Sequence, residues 1–237
     1  MLNNQKPKLG VLALMLEDYL PLFPGIREKQ EAYVRTLLGE LDGTAEFTFP
    51  HAALNRGEIE ELTERYNHEK LDGILIFLLT YSQGEYLVHA MQDNRLPLAL
   101  ALVQPEETVR RDFVELDYTV NQGIHGSQDN ANCLMRAGIS CSFFAGSRRD
   151  GSFRRFVEDF AAAARTWRAL RDMRLAVVGK LPGMGDVVAD DMALYRKLGP
   201  ELVYDSIGTV QRFCAEVTNE QITEQMTLDR QNFEVDP

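Results

Sequence analysis

The chain has 237 residues, 45% of them hydrophobic, and a formal net charge of -11 from 36 acidic and 25 basic side chains. This length and apolar content allow a real buried core and more than one domain. The acidic balance argues against nucleic acid or an anionic membrane as partner, since both require basic patches.

No apolar run is long enough to span a bilayer, and the opening Met1 to Lys6 does not begin a signal peptide, so a soluble, cytoplasmic protein is expected. Cys133, Cys141 and Cys214 form no CxxC pair and are odd in number. They are expected as small core residues rather than as a disulfide framework or a zinc site.

Taken in chain order, Leu9 to Leu16, Gly73 to Leu79 and Leu98 to Val103 are nearly continuous apolar runs, as parallel strands covered on both faces must be. Ala45 to Phe49 alternates and is expected as an edge strand. Helical spacing of apolar residues runs through Ile26 to Leu41, Gly57 to Glu69 and Gln83 to Asn94. The βαβα order predicts a doubly wound parallel sheet of the Rossmann or flavodoxin-like kind. A further strand is expected at Ile139 to Ala145.

Polar residues gather where these strands end: Glu17, Asp18 and Tyr19 after the first, Thr80, Tyr81, Ser82 and Gln83 after the third, and Gln104 after the fourth. Ligands of such folds bind beyond the carboxyl ends of the strands. Between Gln104 and the last strand lies Asn121-Gln122-Gly123-Ile124-His125-Gly126-Ser127-Gln128-Asp129-Asn130, where amides, an imidazole and a carboxylate surround two glycines. Gly123 and Gly126 are expected to let the backbone turn toward a ligand, and Ser127 to cap a helix over Asn130 to Ala137, with His125 just before it. With no Lys or Arg in the segment, a polyhydroxylated or carbonyl ligand suits it better than a phosphate. A hydrogen-bonded loop with a structural histidine fits the same residues, and polar strand ends taken singly are ordinary loops.

A helix is expected from Phe153 to Asp172 and a strand at Leu175 to Gly179. The loop Lys180 to Asp186 then leads to a helix beginning near Val187, and another strand follows at Glu201 to Tyr204. Gly183 and Gly185 make a weak phosphate signature. The loop reads better as a tight turn that puts Met184 at a pocket edge, or packs it in the core. The boundary near 171 divides an amino-terminal α/β domain, 1–171, from the beginning of a second, 172–237. The second has too few strands to close and is expected without a closing helix, so the chain reads as part of a longer protein or as one whose second half is completed by something else.

The Asn-Gln-x-x-His-Gly segment, Thr80-Tyr81-Ser82, Leu16-Glu17-Asp18-Tyr19 and Pro182-Gly183-Met184-Gly185-Asp186 stand in the order and at about the spacing of the L-arabinose and L-fucose isomerase superfamily. The chain most resembles the amino-terminal half of its arabinose-isomerase-like branch. The resemblance implies sugar contacts for Gln122 and His125 and pocket-lining roles for Tyr81 and Met184, with Glu17 where the family has a glutamine and Tyr19 beside it as a further substrate contact.

It also implies aldose-ketose isomerisation through an enediol, with a divalent ion, usually manganese, and two glutamates supplied downstream in the full-length enzyme. No catalytic residue or metal ligand is therefore expected in this chain, which alone would be inactive. His51, His68 and His89 have no ligand spacing, and the last two are expected on helix surfaces. The resemblance further implies a homo-oligomer with a site shared between subunits. The alternative is a sugar-binding or regulatory module without chemistry. A phosphoacceptor domain built on Asp18 would need a lysine at a later strand end, where Gln104 stands.

Overall fold

A computed structural model describes residues 6–179 and 190–234. The chain divides into two compact units, one ending at Arg168 and one beginning at Ala169, inside a long helix.

In the first unit β1 (Lys8–Leu14), β2 (Glu46–Thr48), β3 (Gly73–Leu78), β4 (Leu98–Leu102) and β5 (Ser142–Ala145) form one parallel sheet in the order β2-β1-β3-β4-β5. The apolar runs are strands because both faces are covered. Leu9, Val11, Ala13 and Met15 enter one buried cluster, and Leu12 and Leu14 enter the other. Burying one such side chain contributes on the order of 1.5–3 kcal/mol.

The first face is covered by α1 (Ile26–Glu40) and α6 (Ser152–Arg171), whose Ile26, Val34, Leu37, Phe153, Val157 and Phe160 are buried. The second face is covered by α2 (Arg56–His68), α3 (Gly84–Met91) and α5 (Gly123–Arg136) through Ile59, Leu62, Tyr66, Leu87, Met91 and Leu134. A short α4 (Glu115–Val120), not anticipated from the sequence, precedes α5. Gly10 is required where it stands, since a Cβ there would come within 2.5 Å of the Tyr66 ring. Tyr66 in turn donates its hydroxyl to the Val11 carbonyl at 2.8 Å.

The second unit has β6 (Arg174–Val178) and β7 (Glu201–Asp205) paired in parallel, with α7 (Asp191–Leu198), α8 (Ile207–Glu216) and α9 (Asn219–Asn232). Asp190 caps α7 with its carboxylate and Ser206 caps α8. The expectation of no closing helix is corrected by α9, whose Thr218 and Gln221 form a reciprocal capping box at its start. None of these three helices buries a residue.

The cysteine reading is corrected as well: Cys214 is exposed, and Cys133 and Cys141 are only partly buried. Burial of the Cys141 thiol nevertheless pushes its pKa up to about 12, which leaves it protonated and unreactive. The loop bearing Met184 and the helix start near Val187 lie outside the described residues.

Candidate functional site

In a sheet of this strand order the carboxyl ends of β1 and β3 flank the usual ligand crevice. Here hydrogen bonds join the two strand ends and the first helix. Leu16 N donates to Thr80 Oγ1 at 3.1 Å, Leu79 N donates to the Leu14 carbonyl at 2.9 Å, and the buried Gln30 amide donates to the Leu79 carbonyl. Thr80 therefore ties two strand ends together.

The sequence expectation for the Asn121 segment is corrected in several respects. The helix begins at Gly123, with Gln122 as its N-cap, rather than near Asn130, and Ser127 is buried inside it. The two glycines serve close packing. A side chain at Gly123 would overlap the Leu78 carbonyl oxygen, and a Cβ at Gly126 would lie 2.9 Å from the Thr80 carbonyl oxygen. Without side chains at these two places the first turn of α5 rests directly on the end of β3, and His125 occupies that turn instead of preceding it.

Gln122 and His125 line one cavity of about 210 Å³ together with Gln104, Tyr118, Asn121 and Phe113. Tyr19, delivered by a 3₁₀ turn over Glu17–Tyr19, donates its hydroxyl to Gln122 Oε1 at 2.9 Å. Burial and then the neighbouring Asp18 charge raise the Tyr19 pKa, so the phenol stays a donor. With Oε1 engaged, the Gln122 amide directs its NH2 group as a donor, and the exposed His125 imidazole stands three residues on. A pair of directed hydrogen-bonding groups at a cavity of mixed lining can recognise neutral hydroxyl or carbonyl oxygens.

The remaining sequence candidates lie elsewhere. Tyr81 does not line this cavity; its hydroxyl donates to Asp129 Oδ2 at 3.2 Å, and the same oxygen accepts Gly84 N at 2.9 Å. Burial first, and the Asp129 carboxylate next, hold the Tyr81 phenol above its ordinary pKa. Asp129 follows His125 by four residues, one helical turn along the same face. Glu17 is exposed and accepts from Asn55 Nδ2 at 3.3 Å, beside the start of α2. Met184 lies outside the described residues. His68 and His89 are exposed on α2 and α3.

Sequence reading misses Asp129 as a partner of Tyr81 and Asn121 as a structural joint. The spacing of four between His125 and Asp129 is visible in the sequence; the approach of Tyr81 is not. Among the described residues no three His, Cys, Asp or Glu side chains cluster closely enough to hold a metal ion, and no helix is long and apolar enough to cross a membrane.

No family model matches the chain. It is 22% identical to the L-arabinose isomerase of Clostridium beijerinckii over 72% of its own length and 35% of that protein's. It is 21% identical to that of Saccharophagus degradans over 71% and 34%, and 26% identical to that of Thermotoga neapolitana over 56% and 26%. The chain thus spans about a third of the length of the curated relatives it matches. Among solved structures, Streptococcus suis SuiB gives a TM-score of 0.29 at 10% identity over 85% of this chain and 50% of its own, a likeness too slight to bear on the fold. All three of these relatives are L-arabinose isomerases, and it is to part of such proteins that the chain is similar.

Proposed function

We propose that the chain is the substrate-contacting part of a sugar isomerase-like enzyme that interconverts an aldose and a ketose, with L-arabinose, or another pentose or deoxyhexose such as L-fucose, as substrate. The observation that carries the reading is the Tyr19 to Gln122 hydrogen bond beside His125 at one cavity of mixed polar and apolar lining. In this reading Gln122 and His125 bond the hydroxyls of the open-chain sugar, and Tyr19 orients Gln122. Tyr81 and Glu17 contribute only as further parts of the assembled enzyme approach, and a pocket-lining role for Met184 rests on the resemblance alone.

Enediol chemistry of this kind uses a divalent ion, manganese in the isomerases that the chain resembles. The described residues do not fit one, because no cluster of three ligating side chains occurs among them. No step is therefore assigned to a metal; the ion and the proton-transferring carboxylates belong to other parts of the full-length enzyme. The second unit is the beginning of a further α/β domain, and the enzyme is a cytoplasmic homo-oligomer whose subunits share a site, since a second surface would exclude water from an enediol.

Replacing His125 by Ala in the full-length protein should lower kcat/KM for L-arabinose about fivefold or more, the equivalent of losing one hydrogen bond to a neutral group, with the unfolding midpoint unchanged. Identical kinetics in the two proteins, on a substrate shown to turn over, removes His125 from the site. Sugar binding without turnover in the full-length protein would favour a sugar-binding module instead.

A further inference from the structure

Asn121 is a joint between two helices. It ends α4 and immediately precedes Gln122, the residue that opens α5. A carbonyl at the end of a helix has no partner within that helix and must find one elsewhere. The Asn121 carbonyl finds the side-chain amide of Gln104, 17 residues earlier at the end of β4. The Asn121 side chain is held equally: its Oδ1 accepts Glu106 N at 2.9 Å, and its Nδ2 donates to the Asp117 carbonyl at 2.8 Å. On the other side, the backbone at Gly123 lies so close to the Leu78 carbonyl that no side chain fits between them. Gln122 is therefore caught between the ends of β3 and β4, and His125 stands one turn beyond it.

We infer that Gln104 is a positioning residue: its amide, acting through the Asn121 carbonyl, sets the direction in which Gln122 and His125 present themselves to a hydroxyl-rich ligand. The inference rests on the sugar-contact reading for its purpose, but the clamp can be read out without any sugar. Gln104 also lines the cavity, so rotating the joint changes the shape of the same space that the pair addresses. Without the Gln104 donor the α4 to α5 joint keeps the Asn121 side-chain bonds, the local backbone bonds of Asn121 and Gln122 and the Gln30 bond to the Val120 carbonyl, but loses its tie to the end of β4. The Tyr19 to Gln122 bond, formed across 103 residues of chain, then rests on a less fixed partner.

The test uses Gln104→Met and Gln104→Glu in this chain. Both remove the amide donor at similar length, one with an apolar and one with an acidic end. In NMR spectra both variants should displace the Gln122 side-chain amide and the His125 imidazole resonances while the Leu12 and Leu75 methyls keep theirs. In the full-length protein KM for L-arabinose should rise about fivefold with a smaller change in kcat.

Unshifted Gln122 and His125 signals in both variants overturn the clamp. Shifts spread equally over the core methyls in both variants make Gln104 merely structural and overturn its positioning role. If the clamp signals move as expected but wild-type full-length protein neither binds nor turns over L-arabinose, the sugar reading fails and the clamp stands.

Discussion

The two units contain the same alternation of strand and helix, yet only one of them hides its apolar residues. In the first, Leu75 and Leu12 are fully buried between helices on both faces of a five-stranded sheet. In the second, Ile207, Val210 and Phe213 form a stripe along α8 that remains exposed, as do Met192 and Tyr195 on α7. An amphipathic pattern thus specifies a helix without specifying what covers it. Burial depends on how many strands and layers the helix can lie against, and the two strands among the described residues of this unit offer too little surface. Capping by Asp190, Ser206 and Thr218 supports helices of the second unit locally, a contribution of about 1 kcal/mol for each cap.

Truncating equivalent leucines is the sharpest way to test this contrast. Leu75→Ala should cost about 2–5 kcal/mol in urea unfolding, because it removes contacts that cannot be replaced in a closed core. Leu202→Ala, at a half-buried position of β7, should cost about 1 kcal/mol or less. Equal losses would mean that the second unit is as well covered as the first.

Glycine replacements probe the same difference with a smaller effect. Gly10→Ala drives a methyl into the Tyr66 ring and should destabilise by about 1–3 kcal/mol through overpacking. Gly208→Ala, in α8, where the nearest side-chain atom is Ser206 Oγ at 3.6 Å, should stabilise by about 0.4–1 kcal/mol by restricting the unfolded chain. Thermal melts of both variants would settle the matter, and a stabilised Gly10→Ala protein would contradict the close approach of β1 to α2.

The smallest expected effect is on the alkaline side. Burial holds the Tyr66 phenol well above its ordinary value. A raised folded-state value means that the stability it contributes is fully present below the unfolded phenol's pKa, about 10, and is lost as pH rises from there toward the folded value. Wild-type unfolding free energy should therefore fall above about pH 10, and Tyr66→Phe should flatten part of that fall while costing about 1 kcal/mol at neutral pH for the lost bond to Val11. An unchanged alkaline slope in Tyr66→Phe would place that phenol in water.

Much of the first unit is legible from residue order alone, because parallel strands covered on both faces must be apolar throughout, and Leu9 to Leu16 or Gly73 to Leu79 can be little else. The start of α5 is not legible for an equally physical reason. Gly123 and Gly126 look like turn residues, and only the Leu78 and Thr80 carbonyls beneath them reveal that they are there to let a helix come close. Gln122 and His125 stand out by residue type, whereas Gln104 acquires its role from a strand end and a helix joint that meet only in the folded chain. The box formed by Thr218 and Gln221 is written plainly in the residues themselves. It is easily passed over when a region is judged by whether its sheet can close.

The bond from Gly84 N to Asp129 bears on the order of folding. The N-cap residue of α3, Gln83, offers no side-chain cap, and the carboxylate that serves instead arrives from α5, 45 residues later. An eight-residue helix is too short to persist alone, so α3 gains its N-terminal support only after β4 has been added and α5 has returned to the sheet. The loop-closure entropy for that return falls before the reward. Substitutions within α3 should then speed unfolding more than they slow folding, which would make it one of the last helices of the first unit to form and one of the first to be lost.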